Sequence, residues 1–505
     1  MEKKQYLSLA NTIDLTISNI INGKAIPALI QNNQEGVIEK YSPRNGELLY
    51  RFSESTTEDI NNAVAAARKT LTVESWSGLP ISRRVAIINR LADLVERESE
   101  TLALYECLDV GKTISAAQGD VRGAAGRLRS TAVLAKEITS VAAVDLGHMT
   151  YQHPKPVGVV ACIPAWNYPL LTVAGKIAPA LLMGNSVVLK PSEFCSLTSS
   201  RLAQLALEAG VPPGVFNVVH GSGSVVGEAL TRHSDVDLVT FVGSTATGKK
   251  VMSAAGASNM KRVILECGGK NPFIIFDDCP EDLETLAAKI VNTAFRNQGE
   301  NCMAASRLLL QKSISEKLLP LIVKKTSEIQ VDDPLNPYAT FGALINKAHM
   351  EKVLSHIDSG ISEGAELLIG GERLSPRGEK SLSKGFYISP TIFNNVHPDS
   401  SIAQEEIFGP VLSVLTFEDE NEAIALANST VYGLTGYAAT TNLARAQRLA
   451  ARLNVGSCYI WGATATSGNA PDLGFTKQCQ SGFGYKGGRS GLLEFCVTTT
   501  AHIYS

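Results

Sequence analysis

Between residues 157 and 266 short apolar runs alternate with helical segments: VGVVACI (157–163), 170–183, SVVLK (186–190), 196–209, FNVVH (216–220), 224–232, DLVTFV (237–242), 245–255 and RVILE (262–266). This order constrains the fold more than any other feature of the chain. Gly210, followed by Pro212 and Pro213, stops the second helix. Consecutive parallel strands need crossover helices on the faces of their sheet, which then buries both faces and makes each strand a nearly continuous apolar run. The alternation therefore predicts an α/β fold with a Rossmann-like, doubly wound, mostly parallel sheet of about five strands. Ligands of such sheets sit at the carboxyl ends of the strands.

A second series starts at NPFIIF (271–276) and continues through SRLLLQ, VLSVLTF, LTGYAATT and VGSCYIW with helices between, which predicts a second α/β unit. At 505 residues the chain is long enough for two or three cores. Thr56 and Asp59 form a capping-box-like start for a helix burying Ile60, Ala63, Val64 and Ala67, and a second helix begins near Ser82 with Val85, Ile88, Leu91, Leu94 and Val95 on one stripe. Two segments fit neither series, 139–156 and the Thr- and Ile-rich tail after 490. Both read as strand-like extensions able to pair across a subunit boundary. The expected division is 1–138 with 157–267 as a cofactor unit, 268–478 as a catalytic unit, and 139–156 with 479–505 as a small β oligomerisation arm.

Hydrophobic residues make up 44% of the chain, charged residues 19%, and the formal net charge is -3. That composition gives no electrostatic case for nucleic acid or an anionic membrane. No apolar run approaches the roughly 20 residues that span a bilayer, and the polar start lacks a cleavage-like site, so the expected location is the cytoplasm. Nine cysteines without a CxxC pair, and eight scattered histidines, point neither to a disulfide framework nor to a metal site.

Five motifs carry candidate chemistry. FVGSTATGK (241–249) runs from a strand into a helix through Gly243 and Ser244; the free N–H groups of such a helix start form an anion site suited to a pyrophosphate. Gly221, Gly223 and Gly227 resemble a dinucleotide fingerprint without matching it and read as a turn. LKPSE (189–193) puts Lys190 and Glu193 at the end of a parallel strand, where they can bond an adenosine ribose, although by composition they read as solvated loop charges. FRNQGENCMAASR (295–307) places Cys302 in a loop between helix and strand, where a thiol can be exposed and reactive. In LECGGKN (265–271), Glu266 leaves a strand into a Gly-Gly turn, and partial burial there gives the raised pKa that a general base needs.

Taken in order, PAWNYP (164–169), LKPSE, FVGSTATG, LECGGKN, GENC and EEIFGPV (405–411) resemble the signature of the NAD(P)-dependent aldehyde dehydrogenase superfamily, from INGKAIP near the start to SGFG near the end. The resemblance implies that Cys302 attacks the aldehyde carbon. It also implies that the Asn167 amide and the Cys302 backbone N–H hold the oxyanion, that Glu266 activates water against the thioester, and that Lys176 assists proton movement. On the cofactor side it implies NAD, with Lys190 and Glu193 on the adenosine ribose, Ser244 and Gly243 at the pyrophosphate, Glu406 and Phe408 on the nicotinamide ribose and ring, and Trp166 also among the cofactor-binding residues. A small aldehyde substrate and a homodimer or homotetramer follow from the same resemblance.

Four departures bear on the transfer. Glu300 stands where the family usually has Gln, and Gly175 where many relatives have a Trp lining the substrate tunnel, so a wider tunnel is expected. Lys486 matches the acid of a proton relay, which puts that relay in doubt. The segment 467–480 is longer and differently built than usual. Two other functions stay open: a CoA-acylating semialdehyde dehydrogenase, which usually lacks the counterpart of Glu266, and a catalytically silent binding or structural protein on the same fold. FRN before the nucleophile is similar to succinate-semialdehyde enzymes, whereas Gly175 and 467–480 fit a bulkier aldehyde.

Overall fold

The computed structural model describes residues 1–27, 36–72, 74–145, 147–279, 282–376, 380–462 and 473–504. The first apolar series forms five parallel strands, Val159–Ile163, Ser186–Leu189, Phe216–Val218, Leu238–Val242 and Arg262–Glu266. In space the third of these lies beside the second, the second beside the first, and the first beside the fourth, which flanks the fifth. The order reverses between Val159–Ile163 and Leu238–Val242, which is the switch point of a doubly wound sheet.

Alternate residues of each strand enter different cores. Val160, Cys162, Val187, Leu189, Phe216, Val218 and Leu238 pack into one cluster, and Val159, Ala161, Ile163, Val188, Val239, Phe241 and Leu265 into another. Both faces are therefore covered, which explains why the strands read as unbroken apolar runs. The sheet is larger than the five strands expected. Ser18–Ile21 and Lys24–Pro27 extend one edge antiparallel, and Gly482–Phe483 closes the other against Leu265 and Glu266.

The second series forms a seven-stranded sheet whose parallel strands include Pro272–Ile275, Arg307–Gln311, Val411–Phe417, Thr435–Ala439 and Ser457–Trp461. It too has two covered faces, with Ile274 and Leu309 on one side and Phe273, Ile275 and Leu308 on the other. In the N-terminal third, Thr56 caps the helix Thr57–Lys69 with its box partner Asp59, and Ile81–Arg97 starts one residue before Ser82. The polar start holds a helix that composition did not signal, Lys3–Ala10, with its own box from Glu2 and Gln5.

The two extensions pair with each other within the chain: His148–Pro156 pairs with the tail strand Cys496–Tyr504 over nine residues and with Val141–Asp145 on its other edge. Residues 479–505 are not one arm, because Gly482–Phe483 belongs to the first sheet. Of the unusual 467–480 segment, positions 467–472 lie outside the described residues. No helix among the described residues is long and apolar enough to cross a membrane.

Candidate active site

The loop bearing Cys302 is bent by three consecutive left-handed residues. After the helix Leu283–Phe295 the backbone takes φ of 55° at Asn297, 58° at Gln298 and 73° at Gly299. Side-chain-bearing residues adopt this region at a cost of about 1–3 kcal/mol each, so neighbours must hold it. Asn297 donates to the carbonyl oxygens of Glu300 (3.0 Å) and Asn167 (3.3 Å), and Gln298 Oε1 accepts from Gly342 N at 3.2 Å. Gly299 has no freedom to change, since a Cβ there would lie 2.2 Å from the Gly409 oxygen. Beyond the thiol, Asn271 donates to the carbonyl oxygens of Cys302 (2.7 Å) and Ala304 (2.8 Å), and the Tyr437 hydroxyl donates to that of Met303 at 2.8 Å. Strain held this way is a mark of functional loops.

The thiol opens on a cleft of about 410 Å³ that Asn167, Tyr168, Gly175, Lys176, Glu266, Tyr437, Tyr459, Trp461 and Lys486 also line. Asn167 is buried and its amide donates to the Glu300 backbone carbonyl oxygen at 3.0 Å. A Cβ on Gly175 would meet no atom within 4 Å, so the cleft is open where the bulkier residue was expected to be missing. One wall, not anticipated from sequence, is aromatic: Tyr437 stacks on Tyr459 at 5.5 Å and on Trp461 at 5.9 Å between ring centroids. Its signal was the alternation along GYAAT and SCYIW, which puts these rings on one sheet face at neighbouring registers.

Glu266 is 2% exposed at the end of its strand, as a candidate base should be, but the expectation of a raised pKa fails. Burial alone pushes the carboxyl up; Lys486, Lys176 and Lys477 outweigh it and hold Glu266 well below the usual carboxylate range. Lys486 Nζ lies 2.5 Å from Oε1 and Lys176 Nζ 3.2 Å from Oε2. The residue standing where the relay acid was expected is thus a counter-ion of the candidate base. Lys477, which the sequence reading missed, is buried nearby, and burial together with the like charge of Lys176 brings it down to about 7.

Cys302 also departs from a pre-formed thiolate. Burial pushes its thiol up to about 12, reinforced by the charge of Glu266 and opposed by Lys486. At Glu300, burial holds the carboxyl well above its usual range, and it accepts from Ile345 N at 2.9 Å, as the amide expected at this position would.

Four of the cofactor candidates, Lys190, Glu193, Gly243 and Ser244, follow the carboxyl ends of strands Ser186–Leu189 and Leu238–Val242. Ser244 caps the helix Thr245–Ala257, its Oγ accepting from Thr247 N at 3.2 Å, and Gly243 bridges strand and helix. Lys190, read as a solvated loop charge, is instead 2% exposed, with Nζ 3.3 Å from Glu193 Oε2. Glu193 faces a cleft of about 680 Å³ between that helix and the π-helical turn Gly223–Gly227. Of the glycines read as a simple turn, Gly223 and Gly227 line this cleft, and a Cβ on Gly223 would meet nothing within 4 Å. Further along, Trp166 meets Phe408 edge-on at 5.3 Å, and Glu406 accepts from Gly269 N at 3.0 Å while burial pushes its carboxyl up to about 7. A carboxylate facing the cleft, an open glycine wall, a helix start and a second carboxylate near an aromatic pair suit an extended dinucleotide. Among the described residues no cluster has the make-up of a metal site.

Residues 29–501 match the family model described as the aldehyde dehydrogenase family. The chain is 40% identical over 482 residues to an aminoacetaldehyde dehydrogenase of Pseudomonas aeruginosa, covering 94% of both chains. It is also 40% identical over 479 residues to a betaine aldehyde dehydrogenase of Bacillus subtilis, covering 94% of this chain and 95% of the other. Among solved structures, an indole-3-acetaldehyde dehydrogenase from P. syringae in complex with NAD+ and IAA superposes with a TM-score of 0.94 at 38% identity over all of both chains.

Proposed function

Since the chain belongs to the aldehyde dehydrogenase family and is thereby an oxidoreductase acting on aldehydes, we propose that it oxidises its aldehyde to the free acid with NAD and with Cys302 as nucleophile. What carries the reading is the convergence of Cys302, Asn167, Lys176 and Glu266 on one cleft. The Cys302 thiol gives up its proton to solvent water in the cleft, the thiolate adds to the carbonyl carbon, and the oxygen that becomes anionic takes hydrogen bonds from the Asn167 amide and the Cys302 N–H. Bound NAD supplies the hydride acceptor for the thiohemiacetal carbon. Glu266 then removes a proton from water as it attacks the thioester, and Cys302 departs. Lys176 and Lys486 fix the charge of Glu266 between these steps.

On the cofactor side, Lys190 and Glu193 take the adenosine ribose, and Ser244 and Gly243 the pyrophosphate. Trp166, Glu406 and Phe408 take the nicotinamide end. We assign 1–138 with 157–267 to this cofactor unit and 268–478 to catalysis. The test is the product: with NAD and an aldehyde, NADH and free acid should form in equal amounts, and added CoA should yield no acyl-CoA. Acid appearing only as a CoA thioester overturns the hydrolytic reading.

Cofactor choice gives a second expected outcome. The Glu193 carboxylate repels a 2′-phosphate, so kcat/KM should favour NAD over NADP by at least about tenfold, and Glu193→Gln should narrow that ratio. A higher value with NADP contradicts the assignment.

A homodimer or homotetramer completes the proposal. Val141 and Val144 on one outer strand of the small sheet and Val497, Ile503 and Tyr504 on the other are exposed, apolar side chains that a second copy would cover. Light scattering should therefore give a multiple of 53.8 kDa, and a monomer alone excludes the interface.

A further inference from the structure

The turn that carries Glu406 and Phe408 is strained. Phe408 takes a φ of 59°, a region that a bulky side chain enters only when its surroundings hold it there. Its carbonyl oxygen lies 2.7 Å from His349 Nε2. A carbonyl can only accept, so Nε2 carries the proton of this hydrogen bond and the bond sets the tautomer of the ring. Burial brings the imidazole down to about 4, with Lys352 and His356 adding to the fall and the Phe408 oxygen opposing it, so the donor at neutral pH is the uncharged ring.

His349 is itself held firmly. It stands in the first turn of the helix Lys347–Ser362, where its backbone N–H donates to the Asn346 cap at 2.8 Å. Its ring meets Trp166 edge-on at 5.6 Å and Phe408 at 6.2 Å, closing a triangle with the Trp166–Phe408 contact. Just before this helix, Ile345 N donates to Glu300 Oε1 on the loop of the nucleophile, and the same Oε1 lies 3.7 Å from His349 Nε2. A Cβ on Gly409 would come within 2.6 Å of Val353 on the helix, so the turn packs tightly against it. His349 thus stands where the Cys302 loop, the helix and the Glu406–Phe408 turn meet.

Resting on the assignment of Glu406 and Phe408 to the nicotinamide end, we infer that His349 is a positioning residue for hydride transfer. By holding the Phe408 carbonyl it fixes that turn against the Cys302 loop, and with it the gap between the nicotinamide ring and the carbon bound to sulfur. Reacting atoms must be held about 3–3.5 Å apart, and a displacement of about 1 Å costs about 10²-fold in rate.

Three variants test this, with propanal and benzaldehyde as substrates: His349→Leu lacks a donor, the amide of His349→Asn is too short to reach Phe408, and that of His349→Gln reaches it. Single-turnover NADH formation per active site, at saturating aldehyde and NAD, should fall by about 10–100-fold in the first two and return to within about threefold of wild type in the third. The Kd for NAD should change by less than about threefold, since His349 does not line the cleft that Glu193 faces. Deuterium at the aldehyde carbon should slow kcat more in the impaired variants than in wild type. A role in folding alone would lower the number of active sites and leave the rate per site and the isotope effect unchanged. If His349→Leu does not fold, His349→Asn against His349→Gln decides. A wild-type rate per site without the donor, or His349→Gln as slow as the others, overturns the inference. Phe408→Leu separates it from its premise: unchanged hydride transfer there removes the nicotinamide assignment and the inference together, whereas a slowed Phe408→Leu beside unimpaired His349 variants overturns the inference alone. If the wild type oxidises neither aldehyde, the proposed reaction fails and the inference falls with it.

Discussion

Cys302→Ala is expected to lower aldehyde oxidation by at least about 10⁴-fold, because without the sulfur no covalent adduct forms and the remaining groups only bind and polarise the carbonyl. Cofactor binding should change by less than about twofold, since Cys302 does not line the cleft that Glu193 faces. Steady-state NADH formation reads the first quantity, and titration of NADH fluorescence the second. The wild-type thiol adds a pH signature. With burial and Glu266 pushing it up to about 12, the thiolate fraction of the resting enzyme grows as pH rises through the neutral and alkaline range. Labelling by iodoacetamide should accelerate accordingly, and the component due to Cys302 should vanish in the variant. Substantial turnover by Cys302→Ala would remove the central claim.

Glu266→Gln is expected to separate the two half-reactions. Attack by Cys302 and one hydride transfer need no proton from water, so rapid mixing should give a burst of up to one NADH per active site. Turnover should then fall by about 10²–10⁴-fold, and intact mass should rise by the acyl group. A slowed burst, partly restored as pH rises into the alkaline range, would instead assign Glu266 to deprotonating Cys302. An undiminished steady state excludes both roles.

The ion pairs of Glu266 also fix the direction of a pH effect. A base works when deprotonated, and Lys486, Lys176 and Lys477 hold this one low, so the acidic limb of the hydrolytic step should lie below the ordinary carboxylate range. Lys486→Met removes the 2.5 Å partner and should move that limb to higher pH. The same depression contributes stability above the carboxylate's unfolded pKa, and that contribution is lost as pH falls through the folded value.

The first sheet was legible because its information is local. Each strand from Val159–Ile163 to Arg262–Glu266 announces itself through apolar runs separated by helical segments, and only the antiparallel edges escaped notice. Ser18–Ile21 and Gly482–Phe483 are too short to show a period, and their places depend on partners far along the chain. The extensions were recognised as strands but not as each other's partners, since pairing between His148–Pro156 and Cys496–Tyr504 is a long-range choice.

By itself, the sequence determined which chemical groups are present and on what scaffold: a nucleophile after GEN, a carboxylate at a strand end, a capped helix start, and two doubly covered sheets. The tertiary structure decided their charge states and surroundings. Lys486 is 220 residues from Glu266 and Lys176 is 90 away, yet both bond its carboxylate. Lys190 looked like a solvated charge and is buried. A residue's type is written at its own position, whereas its pKa and its neighbours depend on distances through space, and those exist only once the chain has packed.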